Sequence, residues 1–475
     1  MSESNPIHQL PDGDAVFLST ETDVAWGHMG GLSILDPAGV PEFGYEHMLE
    51  HIGRRLELVP RFTWKLQEVP LGLDRPYWVE DPDFDLRNHI HRVAVPAPGG
   101  MPELGELCGH LFSHALDRSR PLWEIWVIEG IEKGTKVGMF MKTHHCLMDG
   151  QAGAGLAEVL TDLAPDATAP PIVPDAMAEE APRPPSLFEV TARGLRNALE
   201  RPVKATGHVT TALRTFGRRA FSGDDEHAPP AWSDVPKLSF NEAVSRRRNF
   251  AAATLELDDL LDIKKHFDVK LNDVVLEIIG GAMRRWLREK GELPEQPIVA
   301  LCPVSLREAG DASLCNQITN MTVALASDLD DPAERLMHIA RNADRAKQGV
   351  EEGSFDVLAA LSESLAPGVL SAVLQAGSTS ADSAPLPGNF VVSNVRGTPV
   401  PLYTAGARIE SMFPMSLLQT GQGLNATVVS YMGKMQFSFT VDPDLVPDVH
   451  ELKNHIYGAF EALQSAMDGV VHRSR

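Results

Sequence analysis

Cysteine is scarce: four residues in 475, Cys108, Cys146, Cys302 and Cys315, with no close CxxC pair. That excludes a disulfide framework and fits a reducing compartment, so a cytoplasmic protein is expected. Positive charge is in deficit too. Forty-two Lys plus Arg face 65 Asp plus Glu, a formal charge of −23, which opposes phosphate-backbone binding and argues against a nucleic-acid partner. Residues 1–11 hold no basic n-region and no apolar h-region, so no secretory signal is expected. Long apolar runs are missing as well. The stretches 274–286 and 357–373 are broken by Glu277 and Arg284, or by Glu363 and Pro367, before they reach bilayer length, which excludes a spanning helix as the expected state.

What is present is a chain with 43% hydrophobic and 23% charged residues, the composition of a packed core, at a length beyond which one core stops growing. Two domains are expected. Residues 165–185 contain seven prolines and read as a linker. Residues 186–220 regain helical character, with Leu187, Val190, Leu195 and Leu199 on the apolar side and Arg193, Arg196, Arg201 and Lys204 on the other. A second loop over 222–236 leads into a fresh globular half. The expected organisation is therefore 1–165, a connector over 166–236, and 237–475.

Each half reads as mixed α/β. In the first, residues 121–130 and 136–144 are aromatic and aliphatic runs separated by a Gly-containing turn, a β-hairpin pattern that sets Trp123 across from about Lys142 and Pro121 across from about His144. A helix over 151–163 follows. In the second, Val274, Val275, Ile278, Ile279, Ala282, Met283 and Trp286 repeat with the period of a largely buried helix that opens at Asn272-Asp273. Strands are expected over 250–257, 297–303, 317–326, 389–393, 424–431 and 435–441, and helices over 331–348 and 354–374.

The chemistry-bearing run is His144-His145-Cys146-Leu147-Met148-Asp149-Gly150, at the end of a buried strand and before a helix. Without context, adjacent histidines are ordinary polar filling; as a site they supply the side chain whose pKa suits general-base work. Consecutive strand residues point to opposite faces, so His144 and His145 are poor joint ligands and no metal is expected. No GxSxG elbow surrounds any serine, and no covalent acyl-enzyme is required. Asp149 stands where an ionised carboxylate caps the following helix or pairs with an arginine.

The HHxxxDG run resembles the acyltransfer signature of the chloramphenicol-acetyltransferase-like superfamily. The segments DAVFL over 14–18, LDRSRPLWE over 116–124, ND at Asn272-Asp273, PVSLR over 303–307, SNV over 393–395 and GLNATVVSY over 423–431 resemble, within it, the bacterial wax ester synthase/diacylglycerol acyltransferase family, from about residue 14 to about 465. Two departures stand out: Cys146 replaces a small apolar residue, and Arg396 replaces the proline of the family's SNVPGP pattern. The resemblance implies two chloramphenicol-acetyltransferase-like domains with an active-site tunnel between them. It implies fatty acyl transfer from acyl-CoA, a substrate rather than a cofactor, to a long-chain alcohol or to diacylglycerol. His145 is then the general base, His144 shapes the site, and Asp149 supports it with Gly150, either paired with Arg307 or as a local cap. Pro121, Leu122, Trp123 and Glu124 pack beside the histidines. Asn272 and Asp273 cap a helix and support the site. Asn394 and Asn425 either donate to the oxyanion or pantetheine, or tie strands together.

Two other classes use the same features: a condensation domain acting on carrier-bound thioesters, and a non-catalytic coat protein of lipid inclusions. Intact His145, Asp149 and Gly150 argue against the coat protein, and the PLWE and SNV segments against the condensation domain. Between residues 190 and 220 seven Lys or Arg accompany only Glu200 as acid. This reversal of the overall charge is the pattern of a basic amphipathic helix, and peripheral contact with a membrane or lipid inclusion is expected from it.

Overall fold

The computed structural model describes residues 7–147, 159–167, 182–198, 234–305, 318–351, 365–378 and 386–473. The first half contains β1 (His8–Gln9), α1 (Asp12–Ser19), β2 (His28–Asp36), α2 (Tyr45–Leu56), β3 (Trp64–Gln67), β4 (Tyr77–Glu80), β5 (Ile90–Ala94), α3 (Met101–Phe112), β6 (Trp123–Ile131) and β7 (Lys136–His144). The expected hairpin is β6–β7, displaced by one residue: Trp123 faces Thr143 and Glu124 faces Lys142. The pairing slips between Ile128 and Ile131, next to Gly130 in the left-handed region at φ +87°. A residue inserted there moves every later partner by one, which sequence runs alone do not register.

The second half supplies β8 (Asn249–Glu256), β9 (Val299–Ser305), β10 (Ile318–Ala324), β11 (Phe390–Val395), β12 (Tyr403–Thr404), β13 (Ala407–Met415), β14 (Leu424–Tyr431) and β15 (Lys434–Val441). Two six-stranded mixed sheets result, β10-β9-β11-β14-β15-β8 and β12-β13-β2-β7-β6-β5, beside the small sheet β1-β4-β3. The segment 237–475 thus contributes strands to both large sheets, because β13 pairs antiparallel with β2 from Arg408↔Asp36 to Met415↔Gly30. β14 and β15 are joined through Met432 at φ +48° and Gly433 at φ +75°, the two positive values a tight type I′ hairpin requires.

The helix Leu271–Lys290 is buried almost throughout from Asp273 to Leu287 and packs with the helix Val449–Arg473 against the sheet β10-β9-β11-β14-β15-β8. Where a helix is expected over 354–374, the described helix is Pro367–Ser378, which runs past the expected end. Pro367 opens it rather than interrupting it, since a first-turn residue needs no N–H partner.

The connector shows a correction. A helix runs over 187–198, but of its expected apolar side only Val190 is buried, against Val69 and Tyr77, while Leu187 is 68% and Leu195 52% exposed. Gly194 decides this: the position its Cβ would take lies 3.2 Å from Val69 Cγ1 and 3.3 Å from Leu73 Cβ. The helix therefore docks on its glycine side and turns its leucines outward. Leu199, Arg201 and Lys204 lie outside the described residues.

Candidate functional site

β7 delivers the histidine pair. His144 lies across from His28 of β2, its N–H donates to the Leu122 carbonyl at 2.9 Å, and its ring is 2% exposed. Both ring nitrogens are engaged. Nδ1 accepts from the Cys146 N–H at 3.1 Å, which leaves Nε2 as the donor to Glu21 Oε1 at 3.0 Å. The chain then turns through a Leu147 N–H to His144 carbonyl bond of 2.9 Å. The His145 N–H donates to the Gly27 carbonyl at 2.8 Å, and its imidazole lies flat on the Phe17 ring, with centroids 4.1 Å apart and planes 4° from parallel.

Gly27 is where three segments close. A Cβ there would sit 2.8 Å from the Phe17 carbonyl oxygen and 2.9 Å from His144 Nε2, so any side chain would part the α1 end from the histidine loop. Glu21 binds the arrangement together. It accepts from the Gly27 N–H at 2.8 Å, from His144 and from Arg118. Burial pushes its carboxyl up, but the hydrogen bond from His144, the Arg118 guanidinium and the Gly27 N–H outweigh that and hold it at about 2.

The LDRSRPLWE residues surround this loop. Arg118 reaches Glu21, and Pro121, Leu122 and Trp123 are buried. Trp123 Nε1 donates to the Phe62 carbonyl at 2.8 Å, and its ring stacks on His89 at 4.6 Å. Glu124 ion-pairs with Lys142 at 3.0 Å. Lys142 also donates to the carbonyls of Leu111 and His114 at 3.2 and 3.1 Å, and burial draws its pKa down.

The structure brings Asn272 and Asn394 together, the Asn394 amide donating to Asn272 Oδ1 at 3.2 Å. Asp273 accepts from the Lys270 N–H at 2.9 Å and so caps its helix. Asn425 is buried, accepts from Thr427 Oγ1 at 2.9 Å and donates to the Leu417 carbonyl at 3.4 Å. Asp149, Gly150 and Arg307 lie outside the described residues, and the expected Asp149–Arg307 pair with them. Cys146, the first departure, is wholly buried; Arg396, the second, is exposed. Among the described residues no three His, Cys, Asp or Glu side chains gather as ligands for an ion.

Glu21 and Gly27 carry no motif of their own, and 123 residues separate Glu21 from His144. The sequence holds no local signal for that contact. A cleft of about 900 Å³ opens beside Glu21, lined by Trp26, the end of α3 and the arginines that precede β8.

Residues 10–275 match the family model described as the wax ester synthase/diacylglycerol acyltransferase catalytic domain, and residues 314–464 match its C-terminal domain. The chain is 35% identical to a Mycobacterium tuberculosis protein named for a diacylglycerol O-acyltransferase, with 97% of this chain and 91% of that one covered. It is 32% identical to the O-acyltransferase WSD of Acinetobacter baylyi, with 95% of each covered. Among solved structures, the wax ester synthase/diacylglycerol acyltransferase from Marinobacter aquaeolei superposes with a TM-score of 0.71 at 24% identity, covering 97% of this chain and 100% of that one.

Proposed function

The chain belongs to the wax ester synthase/diacylglycerol acyltransferase family, and from that premise we propose a mechanism in which His145 is the general base of fatty acyl transfer from acyl-CoA to a long-chain alcohol or to diacylglycerol. The alcohol O–H proton passes to the His145 imidazole while its oxygen attacks the thioester carbonyl carbon. The tetrahedral adduct collapses by expelling the CoA thiolate, which takes the proton back from His145. No acyl-enzyme forms, and the products are the ester and CoA thiol.

The observation that carries this assignment is the state of the neighbouring ring. His144 is buried with Nε2 on Glu21 and Nδ1 on the Cys146 N–H, so it has no nitrogen left to take a substrate proton. His145 is only partly buried, is held by its backbone to Gly27, and is oriented by Phe17. Asp149 acts as support of the loop. With purified protein, palmitoyl-CoA and hexadecanol, thiol release should be fast. His145→Ala should slow it by about a hundredfold or more with little change in Tm, whereas His144→Ala should lower Tm along with a milder loss of rate. Equal small losses in both variants would remove His145 from the role. Absence of thiol release in the parent would favour a coat protein.

Such acceptors dissolve poorly in water, so the enzyme meets them at an interface. In this reading the lipid-facing surface is apolar: Leu187, Phe188 and Leu195 on the helix over 187–198, with Leu71 on the turn beside its docking site, all exposed.

A further inference from the structure

The loop between α1 and β2 is gripped from both sides. Within it, Thr22 Oγ1 accepts from the N–H groups of Val24 and Ala25 at 3.3 and 3.1 Å, and the Thr22 N–H closes onto the Ala25 carbonyl at 2.9 Å. Residues 22–27 thus form a short strap with its own internal bonds. Its inner end holds the histidine loop, because the Gly27 carbonyl accepts from the His145 N–H and the Gly27 N–H is bound to Glu21. Its outer end is held by the second half. Ala25 is buried in one apolar cluster with Val244 and Leu418, and the Val24 carbonyl accepts from Arg248 Nη2 at 2.7 Å.

Arg248 is the centre of that outer grip. It is buried, and Nη1 donates to the carbonyls of Ser245 and Arg247 at 2.6 and 2.7 Å, so one arm of the planar fork is fixed on its own half while the other reaches the strap. Buried Asp442 secures the fixed arm: its Oδ1 accepts from Ser245 Oγ at 3.0 Å and its Oδ2 from the Ser245 N–H. Burial draws the Arg248 pKa down to about 10, with Asp442 opposing, so the cation persists at neutral pH. The guanidinium carbon also lies 5.6 Å from the Trp26 ring centre, within cation–π range. The Trp26 ring runs nearly parallel to that of His28, with planes 12° and centroids 5.8 Å apart, and His28 is the residue across from His144. One side chain of the second half therefore fastens the strap at Val24 and Trp26, just before the carbonyl that holds His145.

We infer that Arg248 is a positioning residue for the acyl transfer: anchored on the second half, it fixes the strap 22–27, and the strap fixes His145 through Gly27. The inference rests on His145 being the general base. A base must stand within hydrogen-bond reach of the proton it takes, and a small displacement of a correctly folded base costs rate rather than substrate affinity. The seating of the second half thereby sets the reactive geometry of a histidine that belongs to the first.

The test compares Arg248→Met with Thr22→Val, which loosens the strap from within and leaves the seam between the halves alone. With palmitoyl-CoA and hexadecanol, each should lower kcat by about tenfold or more and leave KM for palmitoyl-CoA within about twofold. Ser113→Ala, which removes the hydroxyl that accepts from the Arg248 N–H across the seam, should lower Tm and keep the parent kcat. In a His145→Ala background Arg248→Met should cost nothing further, since both changes act on one group. An unchanged kcat in Thr22→Val decides against the strap even where Arg248→Met does not fold. Equal losses with and without His145, or a loss in Ser113→Ala as large as in Arg248→Met, would make Arg248 a general tie between the halves and overturn the positioning role. His145→Ala at the parent rate overturns the general-base reading and this role with it. A slow His145→Ala beside Arg248→Met at the parent rate overturns this role alone.

Discussion

At the scale of the residue, His144 is held through both of its ring nitrogens. His144 is fastened by Glu21 and by the turn at Cys146, and the fastening depends on a carboxylate that also serves Gly27 and Arg118. Removing it leaves a buried imidazole and a guanidinium short of an acceptor. Glu21→Ala should therefore cost about 1–3 kcal/mol in urea unfolding at neutral pH, with a fall in turnover as the loop before His145 loosens. The sign of the pH dependence follows from a folded carboxyl at about 2 against an ordinary 4.5. The stabilisation is full above about 4.5 and is lost as pH falls toward 2. The difference between parent and variant should shrink over that window; a constant difference would place the contribution of Glu21 in packing instead of charge.

At the scale of elements, the seam between the halves is made by glycine. A Cβ on Gly105 would lie 2.3 Å from the Phe250 carbonyl oxygen, and one on Gly109 would lie 2.3 Å from that of Arg248. The two glycines are four residues apart, so one face of α3 lies directly on the β8 backbone, and the Arg248 N–H reaches Ser113 Oγ at 2.9 Å. Gly109→Ala should force the seam apart and destabilise by about 1–3 kcal/mol, visible as a lower urea midpoint. A control, Gly349→Ala, with nothing near its Cβ, should not lower it. A Gly109→Ala protein as stable as the parent would mean that α3 shifts freely. The glycine pair is visible in the sequence; the strand it accommodates, 140 residues away, is not.

For the whole molecule, the two sheets are interlocked because β13 leaves the second half to pair with β2. The surface proposed to face lipid is likewise assembled from distant segments, the turn at Leu71 and the helix over 187–198. Over the described residues Arg193 and Arg196 of the expected basic face are exposed, and so are Leu187, Phe188 and Leu195. Binding to phosphatidylcholine vesicles should accordingly persist as salt rises, since it rests on apolar burial. Phe188→Asp with Leu195→Asp should abolish co-flotation. Loss of parent binding at high salt would return the contact to the arginines.

The sequence by itself determined the mixed α/β class, most second-half strands, the buried helix from 271 to 290 and the histidine run, since each is written in local periodicity or adjacent residues. Leu424–Tyr431 appears at its expected limits. Only the tertiary structure decided how His144 is fastened, which face of the connector helix is buried, how β6 registers on β7, and that arginines of one half line a cleft with Glu21 of the other. Those outcomes depend on contacts between residues separated by tens to hundreds of positions. A glycine that permits close approach, or a carboxylate that finds a ring, leaves no period in the chain to read.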